Sequence, residues 1–238
     1  MRYFNYLLAF SLLTASSASS QAKLSLEPRL GYGSFEMGIM KEMQMNIIRS
    51  TRVNAQATDS FSPYYQFGGN AVYNFWKHFN AGVFYEFGST GGRVDYEDYS
   101  GNLRMDTKLN YNAFGILLFG QKVIAQSKIS GVGGIEISKI STKVNAHSHF
   151  RIDTQIQTED QAFSAKGKGY KAYAGVQYPV FIFPVRFTVG YMHDKTGDFF
   201  DPDDPEVYVV YSEVYSQRLK PDWSGLRLNL SISVPIIK

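Results

Sequence analysis

Four small groups of side chains in this chain are of a type and spacing that could do chemistry. Asp201, Asp203, Asp204 and Glu206 place four carboxylates within six residues, the donor set of a hard divalent cation. Read as an EF-hand loop from Asp201, however, position six is Glu206 where a glycine must turn the chain, and position twelve is Ser212 where a bidentate Glu is needed. A solvated acidic loop is the expectation. His147 and His149 would share one face of a strand and could chelate a metal, but no third ligand lies near them in sequence. Met37, Met40, Met43 and Met45 could offer soft thioethers, yet Met43, Met45 and Ile47 alternate with Glu42, Gln44 and Asn46, which predicts a strand extension. With no cysteine there is no disulfide, thiolate metal site, cysteine nucleophile or lipidated Cys. No catalytic, cofactor or metal site is assigned on these residues. The fourth group is a set of charged residues whose meaning depends on the elements that carry them.

Those elements begin with an address. Arg2, the apolar run Leu7 to Thr14 and the small, polar run Ala15 to Ala22 form the three regions of a secretory signal peptide, predicted to span residues 1–22 and to be removed. The remaining chain, 23–238, is then a single domain with a net charge of +2. Its Lys and Arg are dispersed, which argues against nucleic acid as a partner. A make-up of 44% hydrophobic, 16% aromatic and 19% charged residues excludes a disordered polymer, and 17 Tyr, 18 Phe and 21 Gly favour β structure. No run of 18 apolar residues exists in 23–238, so no helix spans a membrane.

Strict alternation takes its place. Leu226, Leu228, Leu230, Ile232 and Val234 oppose Arg227, Asn229, Ser231 and Ser233, and the same period of two runs through 24–32, 65–75, 79–88, 129–138, 170–178 and 185–192. Asn110 to Gly120 is less clean, because Phe114, Ile116 and Leu118 make its second half apolar in either parity. Eight strands at 24–35, 64–75, 79–88, 105–120, 128–138, 169–178, 185–193 and 225–234 leave links of 28, 3, 16, 7, 30, 6 and 31 residues. Long and short links alternate throughout, as in an all-β, up-and-down antiparallel transmembrane β-barrel with short periplasmic turns and long outer loops. Phe75, Trp76, Phe79, Phe119, Tyr178, Phe181 and Phe183 gather at the short-turn end, and Tyr32, Tyr65, Phe87, Tyr111, Tyr170 and Tyr191 at the other, as two interfacial girdles. A ten-stranded alternative adds residues 146–157 and 206–218 as an extra pair.

On the signal peptide, this rhythm and the terminal strand Gly225-Leu226-Arg227-Leu228-Asn229-Leu230, the chain resembles the small eight-stranded outer-membrane β-barrel proteins of Gram-negative bacteria, of the outer membrane protein A and X type. The resemblance covers 23–238 and is one of architecture. It implies Sec-type export to the outer membrane, insertion by the barrel-assembly machinery, contact with outer-membrane lipid and lipopolysaccharide, and an extracellular partner met through the loops. Members of that group end the last strand in an aromatic residue, whereas this chain ends Val234-Pro235-Ile236-Ile237-Lys238, and the four residues after Val234 leave no room for an attached peptidoglycan-binding domain. Some such barrels are lipid-modifying enzymes that use a His with a Ser, which raises His147, Ser148 and His193; the adjacent His147 and Ser148 would point to opposite faces of a strand.

Parity gives the charged residues their place. Glu27, Arg29, Glu86, Glu136, Lys171, Arg186 and Arg227 all fall on the inward face, four cations against three anions in a lumen only wide enough for side chains. The expected function is a non-enzymatic outer-membrane barrel with this charge-paired filling and surface loops for envelope structure, adhesion or surface interaction. The alternatives are a narrow channel or small-solute transporter through the same charges, and a lipid-modifying enzyme.

Overall fold

Period-two alternation does carry this chain through long antiparallel strands that close on themselves. The computed structural model describes residues 23–237 apart from 52, 100, 125–126, 153–154 and 213–216; the segment 1–22, read as a signal peptide, lies outside the described residues. In chain order the elements are β1 (Leu24–Gly33), α1 (Gly38–Ser50), β2 (Gln56–Ser60), β3 (Tyr64–Trp76), β4 (Phe79–Asp98), β5 (Gly101–Val123), β6 (Ser130–Ile152), β7 (Gln155–Val180), β8 (Phe183–Thr196), β9 (Val210–Ser212), β10 (Gln217–Arg218), β11 (Gly225–Ile232) and β12 (Val234–Ile237). Eight of them pair in the ring β1-β3-β4-β5-β6-β7-β8-β11, which closes where Arg29 of β1 faces Ser231 and Gly33 faces Arg227 of β11. β12 continues past β11 along the start of β1, and β2 lies outside the ring against β4. The ten-stranded alternative does not hold. Residues 146–152 and 155–157 belong to the far ends of β6 and β7, and β9 pairs with β10 in a separate two-stranded sheet.

The lipid-facing belt follows from the same parity. Leu26, Leu30, Val83, Ile116, Ile135, Ile137, Val189, Leu228 and Leu230 all point outward and are exposed, between a lower girdle that includes Phe75, Trp76, Phe79 and Tyr178 and an upper one that includes Tyr32, Tyr65, Phe87, Tyr170 and Tyr191. Two expected girdle members are inside instead: Tyr111 is 1% and Phe119 3% exposed. On β5 the outward set is Phe114, Ile116 and Leu118, and that parity sends Tyr111, Leu117 and Phe119 into the lumen.

The links expected to be loops of 16 and 30 residues are strand. β4 and β5 run on to a turn at Tyr99, where Asp98 caps the Gly101 N–H at 3.1 Å, and β6 and β7 extend equally far. Beyond Ile137 and Tyr170 these strands build a four-stranded tower; β6 alone adds roughly 45 Å of strand at about 3.3 Å per residue. Alternation continues in it with the polarity reversed: Val94, Leu109, Ile140, Val144 and Ala165 are buried, while Arg93, Arg104, Lys143 and Lys166 are exposed. The polar outer face is why these stretches read as loops. The methionine segment, expected as strand, is the helix α1. Met40, Gln44 and Ile47 recur at helical spacing, so Met40 is buried beside Met37, Phe61 and Phe199 while Gln44 donates to the Asp59 and Arg93 carbonyls at 2.6 and 3.0 Å.

Val83 sits midway between the girdle residues Phe79 and Phe87 and is 44% exposed, whereas Asn145 is exposed on the tower. Val83→Arg is expected to destabilise insertion into vesicles by about 2–4 kcal/mol in urea titrations, and Asn145→Arg by about 0.5 kcal/mol or less.

Candidate functional site

The ring brings together charged residues that lie far apart in sequence. Arg29 of β1 stands at the centre: one guanidinium nitrogen donates to Glu136 Oε1 at 2.8 Å and the other to Glu86 Oε2. The second oxygen of Glu136 takes Lys171 Nζ at 2.6 Å, and the second oxygen of Glu86 accepts the Tyr111 hydroxyl at 2.6 Å. Nearer the lower end Arg186 Nη2 donates to Glu27 Oε1 at 2.7 Å, and Asn70 donates to Glu27 Oε2 at 3.1 Å. Aromatic faces line the cations, with the Arg186 guanidinium 4.1 Å from the Phe119 ring centre and that of Arg29 4.9 Å from Phe84. Three cations thus match three carboxylates, and their side chains are at most 7% exposed.

Arg227, the seventh inward charge, makes no ion pair among the described residues. It closes the top of the lumen by donating to the carbonyls of Ser34 (2.6 Å), Leu226 (3.1 Å) and Trp223, with its guanidinium 4.9 Å from the Phe35 ring centre. Trp223 is fully buried between Tyr111 (ring centres 4.5 Å apart, planes tilted by 42°) and Phe35 (5.0 Å, edge-to-face at 84°), and its indole N–H donates to Thr142 Oγ1 at 2.8 Å. The segment carrying it is pinned by the N–H groups of Glu36 and Met37 bonding the Ser224 and Asp222 carbonyls. Gly225 makes this crossing possible: its φ is +145°, and a Cβ there would stand 2.4 Å from the Ser34 carbonyl oxygen. Asp194 accepts from the Trp223 N–H at 2.9 Å; burial raises its carboxyl above the ordinary range, against the hydrogen bonds from Thr196 and Trp223 that favour the charge. The sequence reading passes over Trp223 and Phe35 and puts Tyr111 in the upper girdle. The cue available was a Trp directly before the last alternating strand.

The other candidates do not assemble. Asp201 and Asp204 use side-chain oxygens to cap the N–H groups of Asp203 (2.9 Å) and Glu206 (3.2 Å), which makes the acidic stretch a pair of turns. His147 pairs with Asp160 at 2.6 Å and His149 approaches Thr158 at 3.3 Å. Among the described residues no three His, Asp or Glu side chains converge as a metal site. His193 faces Tyr170, ten residues along β7 from the Asp160 that holds His147, so roughly 30 Å of strand separates the two histidines. A His–Ser pair built from His147, Ser148 and His193 is absent from this geometry. Higher on the tower, opposite His147, Asp106 is buried enough to raise its carboxyl, but hydrogen bonds from Arg93 and Arg104 outweigh this and hold it below the usual range.

The closed ring, apolar belt and polar filled lumen define a transmembrane β-barrel of eight strands. Solved structures of similar outline are Neisserial surface protein A (12% identity, 92% of this chain and all of that one, TM-score 0.35) and Ail, the attachment invasion locus protein of Yersinia pestis (10% identity, 90% and 97%, TM-score 0.30). Ail in complex with the heparin analogue sucrose octasulfate aligns at 11% identity over the same shares, with a TM-score of 0.29. No protein-family model matches the chain, and no curated protein sequence matches it. The eight-stranded assignment therefore rests on the ring's own pairing.

Glu136 neutralises two cations at once, so Glu136→Gln leaves Arg29 and Lys171 short of charge in a closed lumen. The substitution is expected to cost about 3–5 kcal/mol where the site is dry and less where water enters, read as a lower urea midpoint. Glu159→Gln, on the exposed tower, serves as the control and leaves the midpoint unchanged.

Proposed function

We propose that the protein is a non-enzymatic outer-membrane barrel that acts as a closed anchor and presents its four-stranded tower as a contact surface outside the cell. The observation that carries this reading is the filled lumen: the ion pairs of Arg29, Lys171 and Arg186 occupy its middle, and Trp223, Tyr111, Phe35 and Arg227 pack across its upper end. A conducting pathway needs sites that an ion can enter and leave, whereas these charges are committed to one another and to backbone carbonyls. The functional surface then lies beyond the belt. Gln155 to Ala162 on β7 are exposed on both faces, and this stretch of β7 has no ladder partner on its β8 side, where pairing begins only at Gly167. Such a surface suits contact with another macromolecule in envelope structure or adhesion.

Two measurements test the reading together. In intact cells trypsin is expected to cut only in the tower, at residues such as Lys143, Arg151 or Lys166, and to leave an SDS-resistant barrel fragment in the outer-membrane fraction. In planar bilayers the purified barrel is expected to show no steady conductance. Recovery as a soluble periplasmic monomer, or steady conductance whose ion selectivity changes with Glu136→Gln, contradicts the proposal.

A further inference from the structure

Just above the upper girdle the outer wall carries an arrangement that a free-standing sheet would avoid. Lys168 of β7 lies directly opposite Lys139 of β6 on one side and Lys195 of β8 on the other, and all three are exposed on the outward face. Like charges at directly opposed positions sit about 5 Å apart at Cβ and repel. Among the described residues none of the three makes an ion pair; Lys195 only overhangs the Tyr170 ring at 5.8 Å. Lys166 and Lys143 continue the outward face above the row, with Asn110, Ser141 and Ser164 beside them. Acids on the neighbouring segments are engaged elsewhere: Asp194 holds the Trp223 N–H and Glu36 accepts the Tyr191 hydroxyl, while Asp106 and Asp160 lie farther up the tower with Arg93, Arg104 and His147.

The row is placed where a lipid head group would meet it. Lys139 is two residues beyond Ile137, which faces the girdle residue Tyr170, a rise of roughly 7 Å along the strand. The row is also one-sided. At the matching height β11, β1, β3 and β4 present Leu226, Tyr32, Tyr65 and Ser89, with no cation among them. A general attraction to an anionic surface needs no such asymmetry, whereas one bound molecule does. We propose that Lys139, Lys168 and Lys195 form a binding site for the phosphate groups of an outer-leaflet glycolipid whose acyl chains lie on Ile137, Tyr170 and Tyr191 below. The lysine ammonium groups are point charges that take phosphate without a fixed fork geometry. The proposal rests on the outer-membrane reading above, and it commits to a lipid because belt and cations are continuous.

The test uses the folded barrel in zwitterionic detergent, titrated with bis-phosphorylated lipid A and read by native mass spectrometry. Each lysine near a membrane surface adds about fivefold in affinity, so the triple variant K139Q/K168Q/K195Q is expected to bind on the order of 100-fold more weakly. The control K23Q/K122Q/K128Q removes the same charge from the exposed lower end and is expected to bind as the parent does. Dephosphorylated lipid A should bind the parent as weakly as lipid A binds the triple variant. Equal loss in both triple variants, or no loss in either, overturns the site. Inositol hexakisphosphate binding as tightly as lipid A, with the same lysine dependence, overturns the lipid and leaves a free polyanion. SDS-resistant, heat-modifiable folding of the parent is scored separately; its absence overturns the membrane reading itself, and the site with it.

Discussion

A chain that crosses hydrocarbon with strands must satisfy every backbone N–H and C=O from within, and a sheet can do so only by closing. The pairing of β1 with β11 is that closure, and the remaining architecture depends on it. Eight strands set a lumen about as wide as the side chains inside it, so the interior has to be built as a core. It is a polar core. Arg29 binding both Glu86 and Glu136, Glu136 binding Lys171, and Arg186 binding Glu27 are what a closed, narrow lumen requires of charges withdrawn from water. The glycines follow from the same crowding at particular points: a Cβ on Gly88 would meet the Tyr111 ring at 2.6 Å, the ring that also packs against Trp223.

The same strands obey opposite rules on the two sides of the upper girdle. Below it β6 turns Ile135 and Ile137 outward and Glu136 inward; above it Lys139 and Lys143 face out while Ile140 and Val144 are buried. The lid at Trp223 marks the change, since Tyr111 bonds the charged network through its hydroxyl and the apolar lid through its ring. Above the lid the molecule is packed like a water-soluble protein, with Met37, Met40, Phe61 and Phe199 in the core. Each lengthened strand is thus one continuous ladder with two solvents. That is also why the row of lysines on β6, β7 and β8 can begin two residues beyond the last lipid-facing side chain without any break in structure.

What the sequence disclosed followed from periodicity. Leu226 to Ile232 alternate so regularly that strand, face and register parity could be written down together, and the same holds for 79–88 and 185–192. β5 resisted because Leu117 and Leu118 are both apolar, which left Tyr111 and Phe119 on the wrong side of the wall. The tower was hidden for a different reason. Its outer residues Arg93, Asp95, Lys143 and Lys166 have loop-like polarity, and its pairing is enforced by the neighbouring strand, a non-local cause that one sequence does not display. The helix at Gly38 to Ser50 shows the limit of a short window: Met43, Met45 and Ile47 fit a strand over five residues, and only Met40, Gln44 and Ile47 together reveal the longer period. Partners within the lumen were illegible in principle, since Arg29 meets residues 57 and 107 positions away.

The central claim is that the polarity of the two strand faces reverses at the upper girdle while the alternation runs on unbroken, and the absence of native cysteine makes it directly measurable. Single cysteines placed one by one from 131 to 149 on β6, in the folded barrel in vesicles, would be scored with a membrane-impermeant thiol reagent and with a lipid-quenched fluorophore. The account predicts quenching at 135 and 137, protection from both at 136, 138, 140, 142 and 144, and reaction with the aqueous reagent at the odd positions from 139 onward. Lipid quenching that continues at 139 to 147, or a loss of alternation beyond 138, would contradict it.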